Sequence, residues 1–352
     1  MGYVIGSFNL RDFNLQAKTR DCKLVSEQGT KEVSRKFEKI ADIIIGEKFD
    51  VVAIQEANAE IAIKHLTTLL NRRKNMLMEW DYRFDTPRAP RSARHNVTSR
   101  YKDVEGYAFI WNIKRLSLLE VKNKDNPRII NQYKIKDVIG QTDLLRDPYF
   151  IRLTAKGIYG GSFFEIRLVN THIRYAKSSL DNFCMDSPKQ MRINEFKMLV
   201  EDVLTHCTDL RTGENMPAYT FLLGDYNLCL SNSITGIREE TKVAAKGYNR
   251  TFKTVQEKAT SLKKPCERED IRDENEDEDD NLVMLLEEDY YANNYDHFTY
   301  EAKYEKQIQL NSSRVDAVDI YYRQENNSQT RLKMYRAEIS DHVPIKMNMD
   351  FI

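Results

Sequence analysis

The chain has 352 residues, and its 54 lysines and arginines balance its 54 aspartates and glutamates. With 41% hydrophobic and 10% aromatic residues it has the material for a large core, which excludes a disordered or low-complexity protein. No apolar run approaches the length of a bilayer span, which excludes an integral membrane protein.

Tyr3 to Phe8 reads as a short strand leading straight into polar residues. Residues 32–48 carry Val33, Phe37, Ile40 and Ile44 at spacings of three and four, the pattern of an amphipathic helix. Phe49 to Ile54 predicts a buried strand ending at Gln55-Glu56, and a second helix follows with Ile61, Leu66, Leu69 and Leu70 on its apolar side. Arg83, Arg88, Arg91, Arg94, Arg100 and Lys102 cluster in a Pro- and Ser-containing stretch that reads as a loop. Strand-like segments recur at Tyr107–Trp111, Phe150–Leu153 and Phe164–Asn170. A long helix is expected around Lys189–Leu204, with Ile193, Phe196, Val200, Val203 and Leu204 facing one way. Further strands are expected at Tyr219–Leu223, Ala317–Tyr322 and Val343–Met349.

Strands outnumber helices, and several follow one another directly. That predicts mixed or antiparallel sheets faced by helices, an α/β (α+β) chain, rather than a purely parallel sheet. Residues 1–352 read as a single domain, with 231–292 as an insertion or loop of different composition. Between Glu267 and Asp289 stand thirteen acidic and two basic residues, a net of −11, so the rest of the chain carries +11. A basic body with one acidic segment suits a polyanionic partner.

The five cysteines, Cys22, Cys184, Cys207, Cys229 and Cys266, form no CxxC pair, so neither a zinc ribbon nor a thioredoxin-like site is expected. They read as reduced thiols. The first residues lack the basic and apolar regions of a signal peptide, which makes the cytoplasm the expected compartment.

Polar residues gather at strand ends. Asn9 follows the first strand and Glu56 the second; His172 follows the strand at 164–170, and Asp225 with Asn227 the strand at 219–223. Asp341 and His342 immediately precede the last strand. Such residues can converge over one sheet edge. Carboxylates and an amide are hard oxygen donors suited to Mg²⁺, Mn²⁺ or Ca²⁺. Two histidines without cysteine partners suit proton transfer or oxyanion stabilisation. Metal-assisted attack on a phosphoester fits that set. The absence of GxxxxGK[ST] excludes a P-loop NTPase, and no GxSxG or HExxH stands in the chain.

The series Phe8-Asn9-Leu10-Arg11, Ile54-Gln55-Glu56, Val169-Asn170-Thr171-His172, Leu223-Gly224-Asp225-Tyr226-Asn227 and Ile339-Ser340-Asp341-His342-Val343-Pro344 resembles the endonuclease/exonuclease/phosphatase superfamily, in order and almost end to end. Within it the sequence is most similar to deoxyribonuclease I-like nucleases. Glu105-Gly106-Tyr107-Ala108-Phe109, Arg146-Asp147-Pro148 and Tyr295-Asp296-His297-Phe298 carry that likeness further.

The resemblance implies a four-layer sandwich of two packed β-sheets with helices outside. It also implies roles. Glu56 would bind the principal divalent cation, with Asn9 and Asp341 completing or positioning its shell. Asp225, helped by Asn227, would orient and deprotonate the attacking water. His172 and His342 would neutralise the phosphorane charge or protonate the leaving oxygen. Glu105 and Asp296 would fix the histidine tautomers, with Asp316 a rival for the second of these posts. Arg146 would clamp the scissile phosphate. The reaction implied is in-line hydrolysis of DNA, as a double-strand endonuclease leaving 5′-phosphate and 3′-hydroxyl ends.

Asn58 stands where those nucleases carry a groove-reading arginine, and the loop before Glu105 differs in length. The basic loop Arg83–Lys102 is therefore expected to supply phosphate contacts instead. A phosphomonoesterase or a sphingomyelinase-type phosphodiesterase of the same superfamily is the nearest alternative. A nucleic-acid-binding pseudoenzyme is a further one, although every catalytic position is kept.

Overall fold

The computed structural model describes residues 2–15, 27–73, 78–87, 105–119, 126–136, 141–144, 146–157, 161–174, 188–210, 216–230, 237–245, 248–255, 258–263 and 291–351. The first half runs β1 (Gly2–Phe13), α1 (Glu27–Gly46), β2 (Val51–Ala57), α2 (Glu60–Arg72), β3 (Trp80–Asp85), β4 (Gly106–Asn112), β5 (Leu116–Leu118), β6 (Arg128–Ile129), β7 (Lys134–Lys136) and β8 (Gln141–Asp143). It continues through β9 (Tyr149–Lys156), β10 (Ser162–His172), α3 (Pro188–Met198), a π-helical turn (Leu199–Leu204), α4 (Thr205–Asp209) and β11 (Ala218–Asp225). The last part holds β12 (Glu240–Ala245), β13 (Tyr248–Val255), β14 (Asp296–Glu301), a 3-10 turn (Ala302–Lys306), β15 (Ile308–Arg314), α5 (Ala317–Tyr321), α6 (Ser328–Glu338) and β16 (Ile345–Phe351).

Two large sheets result. One has the order β15-β16-β1-β2-β4-β3, the other β12-β13-β14-β11-β10-β9-β5 with β6 also on β9. Each contains one parallel pair at its centre, β1 with β2 and β10 with β11, and is otherwise antiparallel. A parallel pair needs a crossover, and α1 and α3 provide it.

Strand periodicity explains the layers. In β2, Val51 and Ala53 face the other sheet while Val52 and Ile54 face the helices. The layer between the sheets packs Ile5, Phe109, Ile151, Leu168, Phe221 and Met347. Phe37, Ile40 and Ile44 of α1, with Leu66 of α2 and Leu332 of α6, cover the first sheet. Phe196, Val200 and Val203 cover the second over Val169 and Leu222. This is the expected four-layer sandwich. No helix among the described residues is long and apolar enough to cross a membrane.

The structure corrects several sequence expectations. Ala317–Tyr322 is not a strand: α5 takes Ala317–Tyr321, Ala317 and Val318 being buried while Ile320 points outward. The run is too short for periodicity to tell a helical turn from a strand. Arg83 is not in a loop but in β3, which pairs with β4. The helix expected to run to Leu204 passes into a π-turn at Leu199. Within 231–292, β12 and β13 extend the second sheet through β14. The acidic run and the basic residues Arg88, Arg91, Arg94, Arg100 and Lys102 lie outside the described residues.

One glycine is demanded by the fold next to the site. Gly224, at φ +141°, pairs with Thr171, and a Cβ there would come 1.9 Å from the Thr171 carbonyl oxygen. Gly224→Ala should cost roughly 3 kcal/mol of stability, read as a lower urea midpoint with unchanged slope. A midpoint like that of the unsubstituted protein would contradict this packing.

Candidate active site

The site is a consequence of register. His172, at the end of β10, pairs with Asp225, at the end of β11, and Asp225 pairs in turn with Asp296, the first residue of β14. Three functional groups thus stand in one row across three adjacent strands. From the facing sheet, the regular pairing of β1 with β2 ends at the same edge with Asn9 on Gln55, next to Glu56. Asn170 and Gln55 bridge the sheets just below, the Gln55 Nε2 donating to Asn170 Oδ1 at 2.6 Å. Asn170 donates to the carbonyls of Ile54 and Ala108, so this buried polar layer is satisfied from both sides.

Asn9 joins the two halves. Its Nδ2 donates to Glu56 Oε1 and to Asp225 Oδ2, each at 3.0 Å, while its Oδ1 accepts the Arg11 N–H. Its amide nitrogen therefore faces the carboxylates, which makes it a brace between them. Glu56 Oε2 also accepts the Asp12 N–H at 3.1 Å. The backbone is strained where these groups are presented: Arg11, Asp12, Glu56 and Asn227 all have φ between +37° and +55°. Non-glycine residues hold such angles at a cost, commonly at functional sites. In β1 the strain follows a bulge, since Asn9 pairs with Gln55 but Phe13 with Ala57.

Asp225 is flanked by both histidines, its Oδ2 lying 3.6 Å from the Nε2 of His172 and 3.6 Å from that of His342. Each ring is backed by its own carboxylate. His342 Nδ1 is 2.7 Å from Asp296 Oδ2, and His172 Nδ1 is 3.1 Å from Glu105 Oε2. Asp316 is half exposed and bonded to Arg314, so Asp296 and not its rival stands against His342. Asn227 donates its backbone N–H to Asp225 Oδ1 at 2.8 Å and its side-chain amide to the Ile173 carbonyl. Arg146 Nη2 lies 2.7 Å from Glu105 Oε1, so one glutamate holds both an arginine and a histidine.

Asp341 is held by arginines, and its charge still reaches Glu56 and His342. Its carboxylate lies 3.5 Å from Arg11 Nε and 3.9 Å from an Arg336 nitrogen. Sequence reasoning missed the groups that set this segment. Ser340 Oγ donates to the Asn9 carbonyl at 2.7 Å and accepts the His342 N–H, and Tyr335 donates to the His342 carbonyl. Ser340, Gln55 and Asn170 all lay inside the recognised motifs, but a one-dimensional pattern gives no sign of which sheet each one meets.

The electrostatics divide the carboxylates. Burial raises the Asp225 pKa, partly offset by the two histidines and reinforced by Asp296. Burial also raises Glu56, with His172 opposing and Glu105 adding. For Glu105 and Asp296 burial is outweighed: the bond and charge of His172, with Arg146 and Arg174, pull Glu105 down to about 2, and His342 lowers Asp296. Burial alone would depress His342, but Asp296 and Asp225 hold its pKa well above the ordinary histidine value.

Donor atoms of Glu56, Glu105 and His172 fall within 4.8 Å of one another, as do those of Asp225, Asp296 and His342. Glu56 is the group suited to a hard cation: an oxygen donor beside a second carboxylate, whose burial a positive charge would relieve.

No protein-family profile and no curated protein sequence matches the chain. Among solved structures, the zebrafish (D. rerio) TDP2 complexed with single strand DNA product is 14% identical, with TM-score 0.50 over 99% of each chain. The endonuclease/exonuclease/phosphatase from Bacteroides vulgatus is 12% identical, with TM-score 0.50 over 100% of each chain. At such identities the likeness is one of fold.

Proposed function

We propose that this chain, which carries the endonuclease/exonuclease/phosphatase fold, is a divalent-metal-dependent phosphodiesterase that cuts DNA. The observation that carries the reading is the raised carboxylate Asp225 between two histidines, each backed by its own carboxylate. Asymmetric acid–base pairs of this kind suit a reaction that must remove one proton and deliver another.

The roles follow from the contacts. Arg146 binds the scissile phosphate through its planar fork. Asp225, oriented by the Asn227 N–H and by Asn9, positions a water for in-line attack and takes its proton. As the new P–O bond forms, the bond to the 3′ oxygen breaks. The protonated His342, held in that state by Asp296, donates to a phosphoryl oxygen or to the departing 3′ oxygen. His172, kept in place by Glu105, supports the same charge from the other side. A divalent cation, Mg²⁺ or Mn²⁺ or Ca²⁺, would be held by Glu56, and it supplies charge neutralisation at the phosphate when bound. Nucleic acid as the substrate draws support from the basic balance of the chain outside its acidic run.

The test is nicking of a supercoiled plasmid with Mg²⁺, with EDTA, and with Glu56→Gln. Relaxation should require the metal, and Glu56→Gln should raise the Mg²⁺ needed for half-maximal activity by at least about tenfold. An intact plasmid under every condition would shift the reading to phosphomonoesters or lipid phosphodiesters, the second choice for this fold.

A further inference from the structure

Glu195, on α3, belongs to no part of the catalytic scheme. It is 2% exposed, and among the described residues its Oε1 is buried without a hydrogen-bond partner. A buried carboxyl oxygen without a partner is destabilising, so its presence calls for a compensating use. The charges it senses are Arg146, which favours its ionised form, and Asp147, which opposes it. Arg146 has the complementary deficit. Its Nη2 rests on Glu105, but its Nη1 is buried with no partner among the described residues. Tyr107 lies within the field of Arg146, Glu105 and Glu195 together, and its hydroxyl accepts the His172 backbone N–H.

We infer that Glu195 is a positioning residue that acts through Arg146: its carboxyl oxygen, not bonded to the arginine here, takes up the unpaired Nη1 when phosphate binds, so that the guanidinium stays aimed. The inference rests on the proposed role of Arg146. It resolves a competition within the site: Glu105 is shared between Arg146 and His172, and an acceptor on the far side of the arginine lets Glu105 follow His172 without releasing the phosphate clamp. Burial pushes the Glu195 carboxyl up to about 8, and an oxygen acceptor remains available in either protonation state.

The test compares E195L, E195Q, R146A and the R146A/E195L double variant. Leucine removes the orphaned oxygen and keeps the volume, so E195L should melt at a higher temperature than the parent while kcat/KM falls about 10- to 100-fold. E195Q restores a carbonyl oxygen and should recover most of that loss. In the R146A background E195L should add nothing, because the two act as one unit. Affinity for inorganic phosphate, measured by calorimetry, should follow the same order with no turnover required. An inactive parent protein that still shows this order of phosphate affinities would remove the phosphodiesterase reading and keep the inference. Full activity in E195L, equal impairment in E195Q, or additive losses in the double variant would overturn it.

Discussion

Asp225→Asn should lower kcat by about 10³-fold or more, within the span by which a positioned acid or base accelerates proton transfer. The amide keeps the shape of the carboxyl and can still accept the Asn227 N–H, so the site should stay assembled. What is lost is the proton acceptor. Asp225 is buried between Asn9, His172 and His342, and burial has raised its pKa toward the range where a carboxylate is an effective base. Removing a carboxylate that burial disfavours should leave the melting temperature level or higher, which separates this variant from a misfolded one. Turnover within tenfold of the parent, measured in single-turnover nicking, would show that the base lies elsewhere.

Asp296→Asn should combine a loss of about 10²-fold or more with a change in the shape of the pH profile. Asp296 and Asp225 hold the His342 pKa above its ordinary value, so the donor form persists to higher pH and activity falls only as pH rises through that raised pKa. With Asp296 neutralised, the alkaline limb should move to lower pH. The stability window moves for the same reason. The raised His342 contributes most below the ordinary histidine pKa and loses that contribution as pH rises through its own value. The depressed Asp296 contributes above the ordinary carboxylate pKa and loses it as pH falls. The pair therefore stabilises the middle of the range, and denaturation profiles of Asp296→Asn should flatten there. An unmoved alkaline limb would assign it to another group.

The two-sheet sandwich was legible in the sequence, and so was the gathering of polar strand-end residues on one edge. Asn9, Glu56, His172, Asp225 and His342 were legible because each sits at the end of an apolar strand, a pattern visible in one dimension. Their bracing was not. Ser340 and Asn170 were in view as letters, but their work is to meet β1 or β2 across a gap of many residues. The helix α6 escaped notice because its apolar side is thin, Leu332 and Tyr335 being its deeply buried residues, although Asn327 caps it through the Thr330 N–H. β12 and β13 fall in the stretch set apart by its composition; polar and lysine-containing, they carry no apolar run, and pairing with β14 makes them strands.

The last strand has a bearing on how this fold closes. β16 does not sit at the margin of its sheet; it lies between β15 and β1, and the segment that delivers His342 leads directly into it. In folding, β1 must wait with one edge unpaired until the distant residues 345–350 pair with it. Until then His342 is missing and the sheet that carries Asn9 and Glu56 is open. Closing that edge and seating His342 beside Asp225 are therefore one step of folding, and the grouping of the two histidines waits on the last strand.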